Sequence, residues 1–440
     1  LNSEEENKPV IESSMSYILL DETGSEVETG ECKGTVDKER LTLFPKFGGV
    51  LPFHLRDIVE IEVENYRIML PVESRETIIL FNLGYDFEDF LRVLTSMRNE
   101  VIIKDLLMGE TVRKTDVEAE FTYYDENGFE KMAGPGKIRL YETGLVMMPE
   151  KGEVFRIPYS SILKMSEGDY EVRINTELGE QLILKRMGSE YEPFVKAFSD
   201  ILSELQNKAV SLIKNMFPTI DSLSLRKLAG LMKEGKTVKK EEIEAINPKI
   251  WLEMEKKIAS TALNEPYLFL KELARQGKIA IGFKRGLMGD LTGEYVWFLI
   301  PIYDLKEKEY GNAIAMETVG EEGGGKATYF FRIMSRKDYP SCMSLNELDG
   351  EADQVIRKIN RCMLDINFRR EPIYLPDDKL DEEAYVKYRV AVRKIPSLKL
   401  LRSLYIGRVA HFSPEQWKND VMDLLRFNVE TLEDTVKWKA

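Results

Sequence analysis

The chain has 440 residues, a net charge of −14, 43% hydrophobic and 31% charged residues, the composition of a folded protein of about three domains rather than a disordered one. That charge argues against nucleic acid as a partner, because a polyanion would need a strong basic patch to overcome it. No run of 18 apolar residues is present, and Cys32, Cys342 and Cys362 form no metal or disulfide pattern, so an intracellular, cytoplasmic protein without a membrane-spanning helix is expected.

The N-terminal LNSEEENKPVIESS is acidic and polar, and residues 1–14 are expected to form a disordered tail. Strands are predicted near 30–36, 40–45, 49–53, 56–64, 66–72 and 76–82, with Ile58, Ile61 and Val63 fitting a half-buried strand. A helix follows from about Asp86 to Leu107, with Phe87, Phe90, Leu91, Leu94 and Met97 at helical spacing and Asp86 as N-cap. Strands are then predicted near 116–123, 129–133, 136–141, 144–149, 153–157, 160–166, 170–176 and 180–186. A second helix starts near Ser189 and carries Phe194, Ala197, Phe198, Ile201 and Leu205 on one face. Residues 218–275 read as short helices broken at Gly235 and Asn247-Pro248. Strands return in GKIAIGF, EYVWFLIPIYD, GNAIAMETV and KATYFFRIM. Helices near 346–366, 379–404 and 414–433 close the chain, with Ser413 and Pro414 at the N-cap and N1 of the last.

These elements repeat. Residues 41–100 align with 145–204 without a gap at an offset of 104, with 14 identities in 60 that include Leu41/Leu145, Gly48/Gly152, Ile58/Ile162, Tyr66/Tyr170 and Phe90/Phe194. Two copies are too few for a solenoid; they imply one domain type used twice. Short strands ending in one amphipathic helix, with the pattern GxVxxxxxxxI before a tyrosine-bearing strand at Gly48 and again at Gly152, resemble the pleckstrin-homology (PH) and GRAM superfold over about residues 15–215. The resemblance rests on element order and not on a signature motif, and a tryptophan common in the final helix of PH domains is absent; Phe90 and Phe194 stand in its place. PH-like modules followed by helices also resemble in layout the archaeal chemotaxis adaptor family, without a shared motif.

The expected fold is therefore α+β. Two tandem PH-like, partly open β-barrels (15–110 and 111–216) are each capped by a C-terminal helix. A helical connector (217–275) and an α+β C-terminal domain (276–440) follow, the latter a candidate degenerate third PH-like module plus helices.

Few residues suggest chemistry. Lys33, Lys38 and Arg40 fit the loose K-x(n)-[KR]-x-R pattern that the resemblance places on the first hairpin of phosphoinositide-binding PH domains, but Asp37 and Glu39 interleave. Lys284 and Arg285, with Leu287 and Met288 at the tip, form a basic, glycine-flanked candidate contact loop. Gly320 to Lys326 matches G-x-x-x-x-G-K, yet Ala327 follows where Ser or Thr is needed and a strand replaces the required helix; a hairpin loop is the favoured reading. The Lys233, Lys236, Lys239 and Lys240 cluster is offset by neighbouring glutamates. The two histidines, His54 and His411, make histidine metal sites and a Ser-His-Asp arrangement improbable. No catalytic, cofactor or metal residues are assigned. The expected role is a non-enzymatic protein–protein adaptor, with strand edges and a groove beside the helix available to a peptide. The rival is anionic-lipid binding through Lys33, Lys38 and Arg40; a weaker one is an enzyme with its site in residues 277–440.

Overall fold

The computed structural model describes residues 9–105, 110–150, 153–285, 294–305, 310–319, 327–339, 344–382, 385–431 and 433–439. The first strand, β1 (Ile11–Leu20), starts inside the stretch expected as tail. Ser13, Met15 and Tyr17 all point into the core, the period of two that an extended chain imposes. A serine reads as polar tail, but here its buried hydroxyl donates to the Asp86 carboxylate at 2.7 Å. Asp86 thus ties β1 to the short 3-10 turn, Gly84–Asp86, that leads directly into the helix starting at Phe87.

β1 is followed by β2 (Glu26–Val36), β3 (Arg40–Pro45), β4 (Leu51–His54), β5 (Glu62–Glu64), β6 (Arg67–Pro71), β7 (Thr77–Phe81) and α1 (Phe87–Asp105). The strands form one antiparallel sheet in the order β4-β3-β2-β1-β7-β6-β5. The next eight elements are β8 (Val112–Tyr124), β9 (Glu130–Tyr141), β10 (Gly144–Pro149), β11 (Phe155–Pro158), β12 (Ile162–Gly168), β13 (Glu171–Thr176), β14 (Gln181–Lys185) and α2 (Tyr191–Met216). Their order, β11-β10-β9-β8-β14-β13-β12, is that of the first sheet shifted by seven. Gly134, Pro135 and Gly136 do not split the strand predicted in two pieces: β9 runs through them, with Gly134 at φ +142°.

The offset of 104 carries over to detail. Phe90 and Phe194 both have 0% exposure and pack under their sheets. Asn65-Tyr66 and Asp169-Tyr170 all have positive φ, between 44° and 59°, the left-handed pair that a two-residue hairpin turn demands. Each tyrosine lies edge-on against the first residue of the following helix, Tyr66 on Phe87 at 5.5 Å and Tyr170 on Tyr191 at 5.4 Å between ring centroids.

The third unit is a six-stranded sheet in the order β15-β16-β17-β18-β19-β20, made of β15 (Val238–Lys239), β16 (Ala280–Arg285), β17 (Glu294–Ile302), β18 (Ala313–Val319), β19 (Ala327–Arg332) and β20 (Tyr405–Ala410). This simple succession differs from the order in the first two sheets, so a third module of the same type is not what residues 276–440 form. The expected connector is also not a connector. Its helices α3 (Ser222–Leu231), α4 (Lys240–Ile246), α5 (Pro248–Ala259) and α6 (Asn264–Leu273) cover one face of the sheet, and its residues Val238 and Lys239 supply an edge strand. An amphipathic helix announces an apolar face without saying what the face meets.

The other face carries α7 (Leu345–Asp365), α8 (Glu371–Tyr374), α9 (Val386–Lys394) and α10 (Pro396–Leu404), while α11 (Pro414–Glu430) joins α3–α6. The single helix expected over 379–404 is broken at Ile395, because Pro396 supplies no N–H to continue the ladder. Alternation decides the layers: Trp297, Leu299, Ile314, Met316, Tyr329 and Phe331 face α7, and Phe298, Ile300, Ala313, Ala315 and Phe330 face α3–α6. The apolar runs VWFLIPI and TYFF are therefore core on both faces. Helix α2 welds the second domain to this unit. Phe194, Phe198, Ile201 and Leu205 sit in the domain core, and Ala209, Ile213 and Met216 in that of the third unit, along a helix about 39 Å long.

Candidate functional site

The predicted basic cluster does not gather. β1 makes β1–β2 the first hairpin, so Lys33, on β2, and Lys38 and Arg40, at the β2–β3 turn, belong to the second. Lys33 is ion-paired with Glu12 at 2.8 Å. The Asp37 carboxylate takes the backbone N–H groups of Glu39 and Arg40, each at 2.7 Å, which places a negative charge between the three cations. Residues 9–105 contain 19 acidic residues against 10 basic ones.

The candidate contact loop is also changed. Lys284 is on strand β16, and its ammonium lies 4.6 Å over the Phe368 ring. Burial holds its pKa below the usual lysine value. Arg285 ends the same strand, while Leu287 and Met288, like Gly320–Lys326 and Cys342, lie outside the described residues.

The two copies differ in what covers one face. In the second copy, Tyr141, Val146, Met148 and Val154 belong to the same core as Trp297, Ile356 and Ile395 of the third unit. The equivalent positions in the first copy are Asp37, Thr42, Phe44 and Val50. There Phe44 is 43% exposed and Val50 55%, and Phe47 at the β3–β4 turn is 90% exposed. The same face of the same sheet is thus packed against protein in one copy and open, with apolar side chains, in the other. Sequence reasoning missed it, although the repeat alignment pairs Phe44 with Met148 and so held the signal.

A cleft of about 260 Å³ opens between the second sheet and the α7/α10 corner, lined among others by Tyr123, Phe155, Glu180, Arg361, Asp365 and Leu400. Arg361 on α7 spans it, bonding Asp365 at 3.0 Å, Glu180 at 3.1 Å and the Ser161 hydroxyl at 2.9 Å. Burial pulls this guanidinium's pKa down, but the Asp365 and Glu180 carboxylates outweigh it and hold the group above its ordinary value. Burial and Glu180, which accepts the Tyr123 hydroxyl at 2.8 Å, push that phenol up. Arg361 thus ties α7 to Glu180 and Ser161 of the second domain, which makes the cleft a joint between domains.

One polar cluster is buried in the third unit. Glu317, with 0% exposure, accepts the Thr328 hydroxyl at 2.5 Å and lies 3.0 Å from His411 Nε2; Thr328 in turn accepts the Trp417 indole N–H at 3.0 Å. Thr328 and Glu317 both meet the same imidazole nitrogen. A nucleophile–base–acid relay uses opposite nitrogens, so this arrangement fastens β18, β19 and β20 to α11 and does not pass a proton along a line. Among the described residues no group of three or more His, Cys, Asp or Glu side chains is placed to hold a metal ion, and no helix is long and apolar enough to cross a membrane.

No protein-family model matches the chain, and no curated protein matches it. Among solved structures, the chain is similar to one titled "Structure of the Spt16D Pob3N heterodimer". The match has 13% identity and a TM-score of 0.16, and covers 38% of this chain and 85% of that one. A score that low carries no functional argument.

Proposed function

We propose that the chain is a non-enzymatic adaptor built on two PH-like domains, in which the first domain takes a protein partner on the β3–β4 face. The observation that carries this reading is the contrast between copies: Met148 and Val154 are buried against the third unit, while Phe44 and Val50 at the equivalent positions are exposed. Exposed apolar side chains grouped on one sheet face suit a protein interaction surface, and the equivalent face of the second copy is covered by the third unit. The outer strands β4 and β5 add open sheet edges on the same domain.

The lipid rival draws less support. Three cations return about 3 kcal/mol near an anionic surface, at ~1 kcal/mol each, which is millimolar-scale binding or weaker. Glu12, Asp37 and Glu39 subtract from that. Co-sedimentation with vesicles containing phosphatidylserine and phosphatidylinositol bisphosphate at physiological salt tests the choice. The adaptor reading expects the protein to stay in the supernatant. Salt-sensitive binding that disappears in the Lys33→Ala/Lys38→Ala/Arg40→Ala variant would overturn it in favour of lipid.

A further inference from the structure

The cleft between the second domain and the α7/α10 corner has two apolar walls. One is the ring pair of Tyr123 on β8 and Phe155 on β11, with centroids 4.7 Å apart. The other is Ile395, Pro396 and Leu400, at the break between α9 and α10. Arg361 and Asp365 of α7 and Glu180 complete the lining. The aromatic wall is fixed in place: the Tyr123 hydroxyl donates to Glu180 at 2.8 Å, and Glu180 is held in turn by Arg361 and by the Thr176 hydroxyl at 2.8 Å. The first copy supplies an internal comparison. Leu182 faces Tyr123 across the sheet as Ile78 faces Leu19, so Leu19 and, at the offset of 104, Leu51 stand where Tyr123 and Phe155 stand in the second copy. Two leucines satisfy the sheet there. The aromatic pair is therefore not a demand of the fold, and it borders open space.

The charges of the cleft do not cancel. Arg156 and Lys394 have their own carboxylates, Glu110 at 2.6 Å and Glu153 at 3.2 Å, and Asp125 has Lys131 at 3.1 Å. Lys358 and Glu126, also in the lining, are opposite in sign. What remains is Arg361 against Asp365 and Glu180, one positive charge against two negative ones. Asp365 takes Arg361 and the Ser397 hydroxyl, the latter at 2.6 Å, through Oδ2, while its Oδ1 is buried with no donor among the described residues. A buried acceptor left unpaired is costly and calls for a partner. An excess of negative charge beside aromatic faces attracts a cation, and concave sites between domains are where small ligands commonly bind.

We propose that this cleft binds a small organic ammonium ion with an aromatic or branched apolar body, its charged end towards Asp365 and Glu180 and its body between the Tyr123–Phe155 rings and Leu400. The volume of about 260 Å³ lies just under the usual range of ligand pockets, roughly 300–1,000 Å³, so the occupant carries a single ring or a short branched chain. Such a ligand touches the second domain and the third unit together and tightens the joint between them.

The test uses the full chain and isothermal titration calorimetry with three probes of similar size: phenethylamine, phenethyl alcohol and hydrocinnamate. At neutral pH the first is a cation, the second neutral and the third an anion. The amine should bind, and should raise the melting temperature as its concentration rises, since it stabilises the state it binds. It should bind about tenfold tighter than the alcohol, the worth of a desolvated cation–aromatic contact, and the carboxylate should bind more weakly than the alcohol. Tyr123→Leu/Phe155→Leu, which carries the first copy's residues, should weaken the amine about tenfold for the same reason. Leu400→Trp, which fills the slot, should abolish binding. Circular dichroism checks that each variant folds; if one does not, the other decides, and if neither does, the order of the probes on wild type decides. No heat and no rise in melting temperature with the amine at millimolar concentration would overturn the proposal. So would equal or tighter binding of the alcohol or the carboxylate, or amine binding that a folded variant leaves unchanged. The β3–β4 face belongs to the other copy, so none of these outcomes bears on the adaptor reading.

Discussion

Substituting alanine for Phe194 and, separately, for Phe90 tests whether the two copies are equivalent in energy as well as in position. Both rings have 0% exposure, so each truncation should cost about 3–5 kcal/mol through lost burial and the cavity left behind. The two costs should differ in a set direction. Phe194 is stacked on Phe198, with ring centroids 5.8 Å apart and planes 19° from parallel, while the residue equivalent to Phe198 in the first copy is Leu94. An aromatic pair adds about 0.5–1.5 kcal/mol beyond area, so Phe194→Ala should cost about 1 kcal/mol more than Phe90→Ala by that pair term. Fluorescence cannot read this, because Trp251, Trp297, Trp417 and Trp438 all lie in the third unit. Hydrogen exchange by mass spectrometry can, since it resolves the opening of each sheet separately. Phe90→Ala should speed exchange in β1–β7 and leave β8–β14 protected. Costs of about 0.5 kcal/mol or less, the level of an ordinary surface change, or a Phe90→Ala effect seen first in the second sheet, would show that the two rings are not equivalent core residues.

Further outcomes follow from other sites. Burial raises the pKa of Glu317 above its ordinary value of 4.5, against the opposing pull of His411, Thr328 and Arg370. Such a group contributes its stability fully below the ordinary pKa and loses it as pH rises through the raised folded value. Glu317→Gln, neutral throughout, should therefore match wild type in melting temperature at the acid end and exceed it at neutral pH; a gap independent of pH would contradict this. Gly282→Ala would set a methyl 2.6 Å from the Gly235 carbonyl oxygen and 2.5 Å from the Trp297 indole nitrogen, which are hydrogen-bonded at 2.6 Å. Breaking that buried bond should cost about 1–3 kcal/mol, visible as a lower urea midpoint by tryptophan emission; an unchanged midpoint would show that the contact gives way freely. ATP with magnesium should leave the melting temperature unchanged, since a ligand stabilises only by binding the native state; a dose-dependent rise abolished by Lys326→Ala would contradict the hairpin reading of Gly320–Lys326.

The sequence carried local structure well and long-range structure poorly. The gapless offset aligned residues such as Phe90 and Phe194 because sheet register cannot slip without turning the buried face outward. β1 was missed because Ser13 and Ser14 read as tail, and Ser13 is buried only by virtue of Asp86, 73 residues away. β20 was missed because six residues between two helices carry no period long enough to stand out. Trp251 and Met254 announced an apolar face on α5, but nothing local said that a sheet would meet it. The Lys33, Lys38 and Arg40 pattern was legible, whereas its neutralising partner Glu12 lay in the supposed tail. Asp57, Glu73 and Arg389 meet across more than 300 residues of chain, so no spacing rule could join them. The repeated Glu73/Glu177 pair and the all-basic stretch 386–404 were the signals within reach.

Site-directed photo-crosslinking asks whether the first domain takes a protein on its β3–β4 face. A benzophenone amino acid replaces Phe44 in the full chain, expressed in its own cells, with the same group at the buried position Met148 as the control. Position 44 should give one discrete protein adduct at a constant mass, and position 148 none. Adducts from position 44 that are lipid alone, or no adduct above the level of the control, would contradict it.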